Sequence, residues 1–199
     1  MRKNIQTLLS AFCISLLCGI AFSQQLGNEE LIPALRNGGY IIFMRHANAP
    51  GELPTAETAA PGNSNLERQL DEKGRFDARN FGEAIRRLQI PILTVERSPT
   101  FRTRQTAEHA GFGDVLIQDF LLEERMVGVT PARLERLKEE LTKKPASGNR
   151  LFISHSGNIK ASFPELDPRI EQGEALIIDP TQSNNVLIAR VKITEWVDF

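Results

Sequence analysis

The chain reads as an α/β protein, a three-layer sandwich whose sheet is mostly parallel with an antiparallel edge. Two patterns predict this. Apolar runs of strand length, such as Tyr40-Ile41-Ile42-Phe43-Met44 and Leu151-Phe152-Ile153-Ser154, alternate with longer segments of helical period, as in a sheet covered by helices. The last two strand candidates, residues 174–178 and 186–193, are joined by the turn-rich Asp179-Pro180-Thr181-Gln182-Ser183-Asn184, so they should pair antiparallel.

The elements follow in order. Residues 31–35 predict a short opening helix and residues 39–44 the first strand. Residues 47–65 are rich in Pro, Gly, Ala and Asn and read as a long loop, a feature that is usually functional or mobile. Asp71 is the expected N-cap of a helix reaching about Leu88, with Phe76, Arg79, Phe81, Ala84, Ile85 and Leu88 forming its inward stripe. Pro91 ends that helix, and residues 92–95 form the second strand. Ser98-Pro99 reads as a helix start, with Ser as N-cap and Pro at the first helical position, which places Arg102 in the first turn. Val115-Leu116-Ile117 is a short strand. Thr130-Pro131 opens a helix carrying Leu134, Leu137 and Leu141 on one face, and Pro145-Ala146-Ser147-Gly148 closes it.

The amino terminus predicts a cleaved signal over residues 1–23. Arg2 and Lys3 precede an apolar stretch over residues 8–22, and Ala21-Phe22-Ser23 offers small residues for cleavage. That stretch is short for a bilayer span, which takes about 20 apolar residues, so no stable membrane span should remain after cleavage. Residues 24–199 then form a single domain, periplasmic or secreted. Cys13 and Cys18 both fall within the signal, which excludes thiol chemistry and thiolate metal sites from the mature chain. Without Arg2 and Lys3 the 24 basic residues become 22 against 25 acidic ones, a net charge of −3 with neutral histidines. This balance argues against a nucleic-acid partner but not against a small anionic substrate.

The chemistry concentrates where the apolar runs stop. Arg45 and His46 follow the first strand, Arg102 and Arg104 follow the second, and His155 follows the run ending at Ser154. In open sheets of this kind ligands bind beyond the carboxyl ends of the strands. Two arginines can grip a phosphoryl group through forked, charge-assisted hydrogen bonds, and the amino end of the helix after Ser98 would add partial positive charge. A histidine among these cations should stay neutral near pH 7, which makes His46 a competent nucleophile toward a phosphate monoester. His155, Arg45 and Arg102 would stabilise the transferring group, and Asn48 is a further phosphate-binding candidate. The leaving alcohol needs a proton donor. Glu123 is favoured, with Glu124 close behind and Glu52 and Glu57 as rivals.

Three segments, Phe43-Met44-Arg45-His46-Ala47, the run from Ser98 through Arg102 to Ala107, and Phe152-Ile153-Ser154-His155-Ser156-Gly157, resemble in order the signatures of the histidine phosphatase superfamily, also called phosphoglycerate mutase-like. The resemblance implies that fold, with His46 as the phosphorylated nucleophile and Arg45, Arg102 and His155 completing the pocket. The family's acid follows a Leu-x-Glu pattern, which Glu123 and Glu124 both fit. Ala47-Asn48-Ala49 departs from the family's usual Gly-Glu-Thr, which weakens a mutase reading. The chain is loosely similar to exported members such as lipopolysaccharide core heptose phosphatases.

The expected function is therefore an exported phosphomonoesterase acting on a small phosphorylated molecule, such as an envelope sugar phosphate, through a phosphohistidine. The alternatives are a catalytically impaired phosphate-ligand binding protein and, behind it, a mutase-type phosphotransferase. The phosphorylated cofactor and glycolytic substrates usual for a mutase are cytoplasmic, whereas this chain is expected to be exported, and a phosphohistidine-protein phosphatase meets the same objection. No cofactor is expected and no metal, because His46, His109 and His155 lack the short spacings of zinc sites. His109 reads as an ordinary helical residue. Substrate identity and oligomeric state stay open at this level.

Overall fold

The computed structural model describes residues 26–52, 66–122, 131–164, 166, 169–181 and 186–199. The predicted signal, residues 53–65 of the long loop, and Glu57, Glu123 and Glu124 lie outside the described residues. Five helices are described, α1 (Asn28–Asn37), α2 (Glu72–Arg87), α3 (Phe101–His109), α4 (Pro131–Leu141) and α5 (Ser156–Ser162). Six strands accompany them, β1 (Ile41–Arg45), β2 (Ile92–Arg97), β3 (Val115–Ile117), β4 (Asn149–Ser154), β5 (Ala175–Asp179) and β6 (Val186–Val191). They form one sheet in the order β3-β2-β4-β1-β5-β6. The pairs among β1, β2, β3 and β4 are parallel, and β5 pairs antiparallel with β6, as the sequence predicts, and also with β1, which the sequence does not foretell.

Both faces of the sheet are covered, and β1 shows how. Its side chains alternate, as the period of a strand requires. Ile42 and Met44 join Leu31, Leu35, Phe81, Ile85 and Trp196 in one core, and Ile41 and Phe43 join Leu121, Leu137, Leu141, Phe152 and Ile159 in the other. All of these are essentially removed from water, and burial of each large apolar side chain is worth about 1.5–3 kcal/mol. Helices α1 and α2 supply the first core, α4 and α5 the second.

Three elements differ from expectation for identifiable reasons, and a fourth is not foreseen. In α2 the capping is as predicted, with the Asp71 side chain accepting from the Gly74 amide at 2.7 Å. The buried face, however, runs through Gly74, Asp77, Ala78, Phe81, Gly82 and Ile85, which leaves Phe76 55 % exposed and Arg79 exposed. Glycine sets this phase: a Cβ on Gly74 would overlap the Asn48 carbonyl, and one on Gly82 would overlap the Ala110 carbonyl. Strand β2 extends two residues beyond the apolar run because buried Glu96 is matched by Arg150 of β4, at 2.9 and 2.7 Å, and by Gln118 at 2.9 Å. Helix α3 begins at Phe101 behind Thr100, not at Ser98-Pro99. Helix α5, directly after His155, has no expectation to match, because Ser-Gly-Asn carries no apolar period.

Pairing register sets the site. Arg45 lies opposite Ser154 and Arg97 opposite Ile153, so β1, β2 and β4 end level. The chain continues in register for one more residue on each side, with the His46 amide donating to the Ser154 carbonyl at 3.0 Å and the Ser98 amide to the Ile153 carbonyl at 3.1 Å. Three segments distant in sequence thereby start their loops side by side. Among the described residues, no helix is long and apolar enough to cross a membrane.

Candidate active site

His46 leaves β1 as a buried residue, 2 % exposed. Its Nδ1 lies 2.8 Å from the Ala47 carbonyl, an acceptor, so Nδ1 carries the hydrogen and the Nε2 lone pair is available for attack. Burial pushes its pKa well below the ordinary 6.5, reinforced by the charges of Arg102, Arg45 and Arg68 and opposed by the bond to the Ala47 carbonyl. The ring is therefore neutral at pH 7. Repulsion from the arginines was the cause expected from sequence; desolvation is the larger one.

Arg102 is fully buried on the first turn of α3. Its Nη2 donates to Nδ1 of His155 at 3.0 Å, and because a guanidinium can only donate, the His155 hydrogen must sit on Nε2. That nitrogen donates in turn to the Ser98 hydroxyl at 2.9 Å. His155, 1 % exposed, also has its pKa driven well below 6.5, first by desolvation and then by Arg102. The rings of His46 and His155 stand 5.5 Å apart, centroid to centroid. Arg45, half-buried at the end of β1, donates from Nη1 to the Ile170 carbonyl at 2.6 Å. Its charge also lowers the pKa of both imidazoles.

The sequence thus named four residues, Arg45, His46, Arg102 and His155, that the fold gathers at one edge of the sheet. Two others are placed differently. Asn48 donates its side-chain amide to Asp71 at 2.7 Å, which joins the β1 loop to the cap of α2. At the α3 amino terminus the first amide, that of Phe101, already donates to the buried Glu67 carboxylate at 2.5 Å. Of the acid candidates, Glu52 is exposed. The residue before Glu123 is firmly held, since Asn158 donates to the Leu121 and Leu122 carbonyls at 2.9 and 3.1 Å, and Ser154 to the former at 2.9 Å.

Four contributors escape sequence reasoning. Arg68 donates from Nε to the Ala49 carbonyl at 3.0 Å and from Nη2 to the same oxygen, and its charge reaches both histidines. It lies outside the strand-end pattern, in the segment before α2, so nothing in the spacing marks it. Ser98 reads as a helix cap and is instead the partner of His155. Thr106 and Gln105 lie in the segment that carries Arg102, where the sequence assigns them no role of their own; Thr106 accepts the Ala47 amide at 3.1 Å and Gln105 accepts the Leu70 amide at 2.8 Å. Among the described residues, no group of three His, Cys, Asp or Glu side chains could hold a metal ion.

Buried cations with neutral imidazoles suit a tetrahedral dianion, whose charge the arginines would balance. A family model described as histidine phosphatase superfamily, branch 1, matches residues 41–189. Similar solved structures include the protein histidine phosphatase SixA complexed with tungstate, at 16 % identity and a TM-score of 0.56 over 78 % of this chain and 98 % of that one. A phosphoserine phosphatase from Entamoeba histolytica, complexed with 3-phosphoglyceric acid, matches at 15 % identity and a TM-score of 0.56 over 79 % and 98 %. TTHB049 from Thermus thermophilus matches at 21 % identity and a TM-score of 0.53 over 76 % and 98 %. At these identities the structural likeness is one of fold. No curated protein sequence matches the chain significantly.

Proposed function

Since the chain belongs to branch 1 of the histidine phosphatase superfamily and is by class a phosphatase, we propose that it is an exported phosphomonoesterase acting on a small phosphorylated molecule through a phosphohistidine at His46. The observation that carries this reading is the tether of His46 Nδ1 to the Ala47 carbonyl, which presents Nε2 as a neutral, uncommitted lone pair inside a cluster of arginines. Export is supported by Arg2 and Lys3 ahead of the apolar residues 8–22.

In the proposed cycle Nε2 attacks phosphorus in line. The P–N bond forms as the ester P–O bond breaks, and the departing oxygen takes a proton from Glu123. Water then attacks phosphorus and returns a proton to the Glu123 carboxylate. The P–N bond breaks, releasing inorganic phosphate and neutral imidazole. Arg45 and Arg102 offset the charge on the equatorial oxygens. Support for Glu123 is the anchoring of Leu121 and Leu122 by Ser154 and Asn158, which flank His155 in the chain.

An aryl phosphate assay on residues 24–199 tests the reading. The wild-type chain should turn over without added metal and acquire acid-labile label at His46 from a labelled substrate. His46→Ala should abolish both while keeping the fold. Full turnover by His46→Ala would rule out the nucleophile, and tight orthovanadate binding without wild-type turnover would favour a binding protein. A panel of envelope sugar phosphates, nucleotides and inositol phosphates identifies the substrate.

A further inference from the structure

The segment from Arg169 to Glu174 is bonded to the nucleophile's loop at four points. The Ile170 carbonyl accepts from Nη1 of Arg45 at 2.6 Å. The Glu174 carbonyl accepts the Arg45 amide at 2.9 Å, the Gly173 amide donates to the His46 carbonyl at 2.9 Å, and Gln172 Oε1 accepts the Ala49 amide at 2.7 Å. These bonds set the edge of one phosphate-gripping guanidinium and the backbone on both sides of His46.

The segment's own shape depends on the Glu174 side chain, which is 3 % exposed. One carboxylate oxygen accepts the Glu171 amide at 2.8 Å, closing a tight turn, and the other pairs with Nε of Arg190 at 2.6 Å. Nη2 of Arg190 reaches on to the Arg169 carbonyl at 2.9 Å, so a single β6 side chain grips both ends of the segment. Gly173 sits at φ +82° against Ile193, where a Cβ would lie 2.7 Å from that side chain, so the segment presses directly on the core. A buried ion pair is weak evidence for a stability role, because desolvation offsets most of its attraction. Here both charged groups terminate on a segment that holds Arg45, His46 and Ala49.

We propose that Glu174, acting with Arg190 through the 169–174 segment, is a positioning residue that sets the phosphate grip of Arg45 and the aim of His46. This rests on the phosphatase reading above, and the test separates the two. Glu174→Gln keeps the size and one acceptor but removes the charge pairing, and Gln172→Met removes the Ala49 acceptor without touching the ion pair. Orthovanadate inhibition, aryl phosphate kcat and KM, and thermal unfolding would be measured on residues 24–199. Misplacement of reacting groups by about an ångström can cost up to about 100-fold in rate. Both variants should therefore lose about ten- to 100-fold in kcat/KM and in orthovanadate affinity while still unfolding cooperatively. Should Glu174→Gln fail to fold, Arg190→Lys, which keeps the charge but cannot reach Glu174 and the Arg169 carbonyl together, decides the matter on the same readouts. Wild-type turnover combined with unchanged kcat/KM and orthovanadate affinity in the folded variants overturns the positioning role, even if the melting temperature falls. A wild-type chain that neither hydrolyses the ester nor binds orthovanadate overturns the phosphatase reading, and the positioning role with it.

Discussion

The hydroxyl of Thr106 accepts the Ala47 amide at 3.1 Å and donates to the Arg102 carbonyl at 2.8 Å, so one oxygen couples the loop after His46 to the helix turn that carries Arg102. Thr106 is fully buried. Thr106→Val should leave the Ala47 amide without its acceptor, at a cost of about 1–3 kcal/mol to folding. It should also release α3 from the β1 loop and lower kcat/KM by about tenfold or more. Denaturant melts and aryl phosphate kinetics check both, and Thr106→Ser should restore most of each because it keeps the oxygen.

Arg102 sets the tautomer of His155, and Ser98 is the partner that matches it. The Ser98 hydroxyl is the acceptor for Nε2–H while Arg102 donates to Nδ1, which leaves one tautomer compatible with both neighbours. Nitrogen-15 spectra of the histidine ring should show the Nε2–H form in the wild-type chain. In Ser98→Ala the ring loses an acceptor but keeps the Arg102 contact, so the same tautomer should persist with a changed Nε2 shift and with activity reduced. An Nδ1–H form in the wild type would contradict the hydrogen-bond geometry.

Arg68 acts at a distance on both imidazoles by lowering their pKa. Removing that positive charge in Arg68→Gln should raise the His46 pKa, so the acid limb of the kcat/KM profile moves to higher pH. The Ala49 carbonyl loses its partner in the same variant. Overlapping acid limbs for wild type and Arg68→Gln would exclude the electrostatic role.

What was legible follows from what repeats along the chain. The sheet and both layers could be read because Ile41, Ile42, Phe43 and Met44 form an unbroken apolar run, the signature of a strand buried on both faces. Arg45, His46, Arg102 and His155 could be read because each closes or closely follows such a run. Phe76 was misplaced because α2 is phased by two glycines meeting backbone carbonyls, which a hydrophobic pattern does not register. Ser98 was misread because the same hydroxyl can cap a helix or orient a neighbour, and only the partner distinguishes these roles. Arg68, Gln172 and Glu174 were invisible for a related reason. Arg68 and Gln172 bond to the backbone of the loop after β1, and Glu174 to the backbone of its own segment and to Arg190, and backbone partners leave no mark in a sequence.

Burying two neutral imidazoles makes the fold sensitive to acid. The pKa values of His46 and His155 are driven well below 6.5 in the folded chain, whereas in the unfolded chain both protonate near that value. As pH falls below about 6.5 the unfolded state therefore binds protons that the native state does not, and the stability gained from these sites at neutral pH declines. The loss begins at about 6.5, the unfolded value, and continues down to the depressed folded values; above pH 7 these two groups contribute no slope. Denaturant melts between pH 4.5 and 7.5 should show stability falling with acid, and the slope should be shallower in His46→Asn, which has one fewer proton to gain on unfolding. Orthovanadate or inorganic phosphate should protect, because an anion beside the arginines favours the imidazolium and raises the folded pKa toward the unfolded one. Equal slopes for the wild type and His46→Asn would show that His46 is already protonated in the native state, and its assignment as a neutral nucleophile would fail with it.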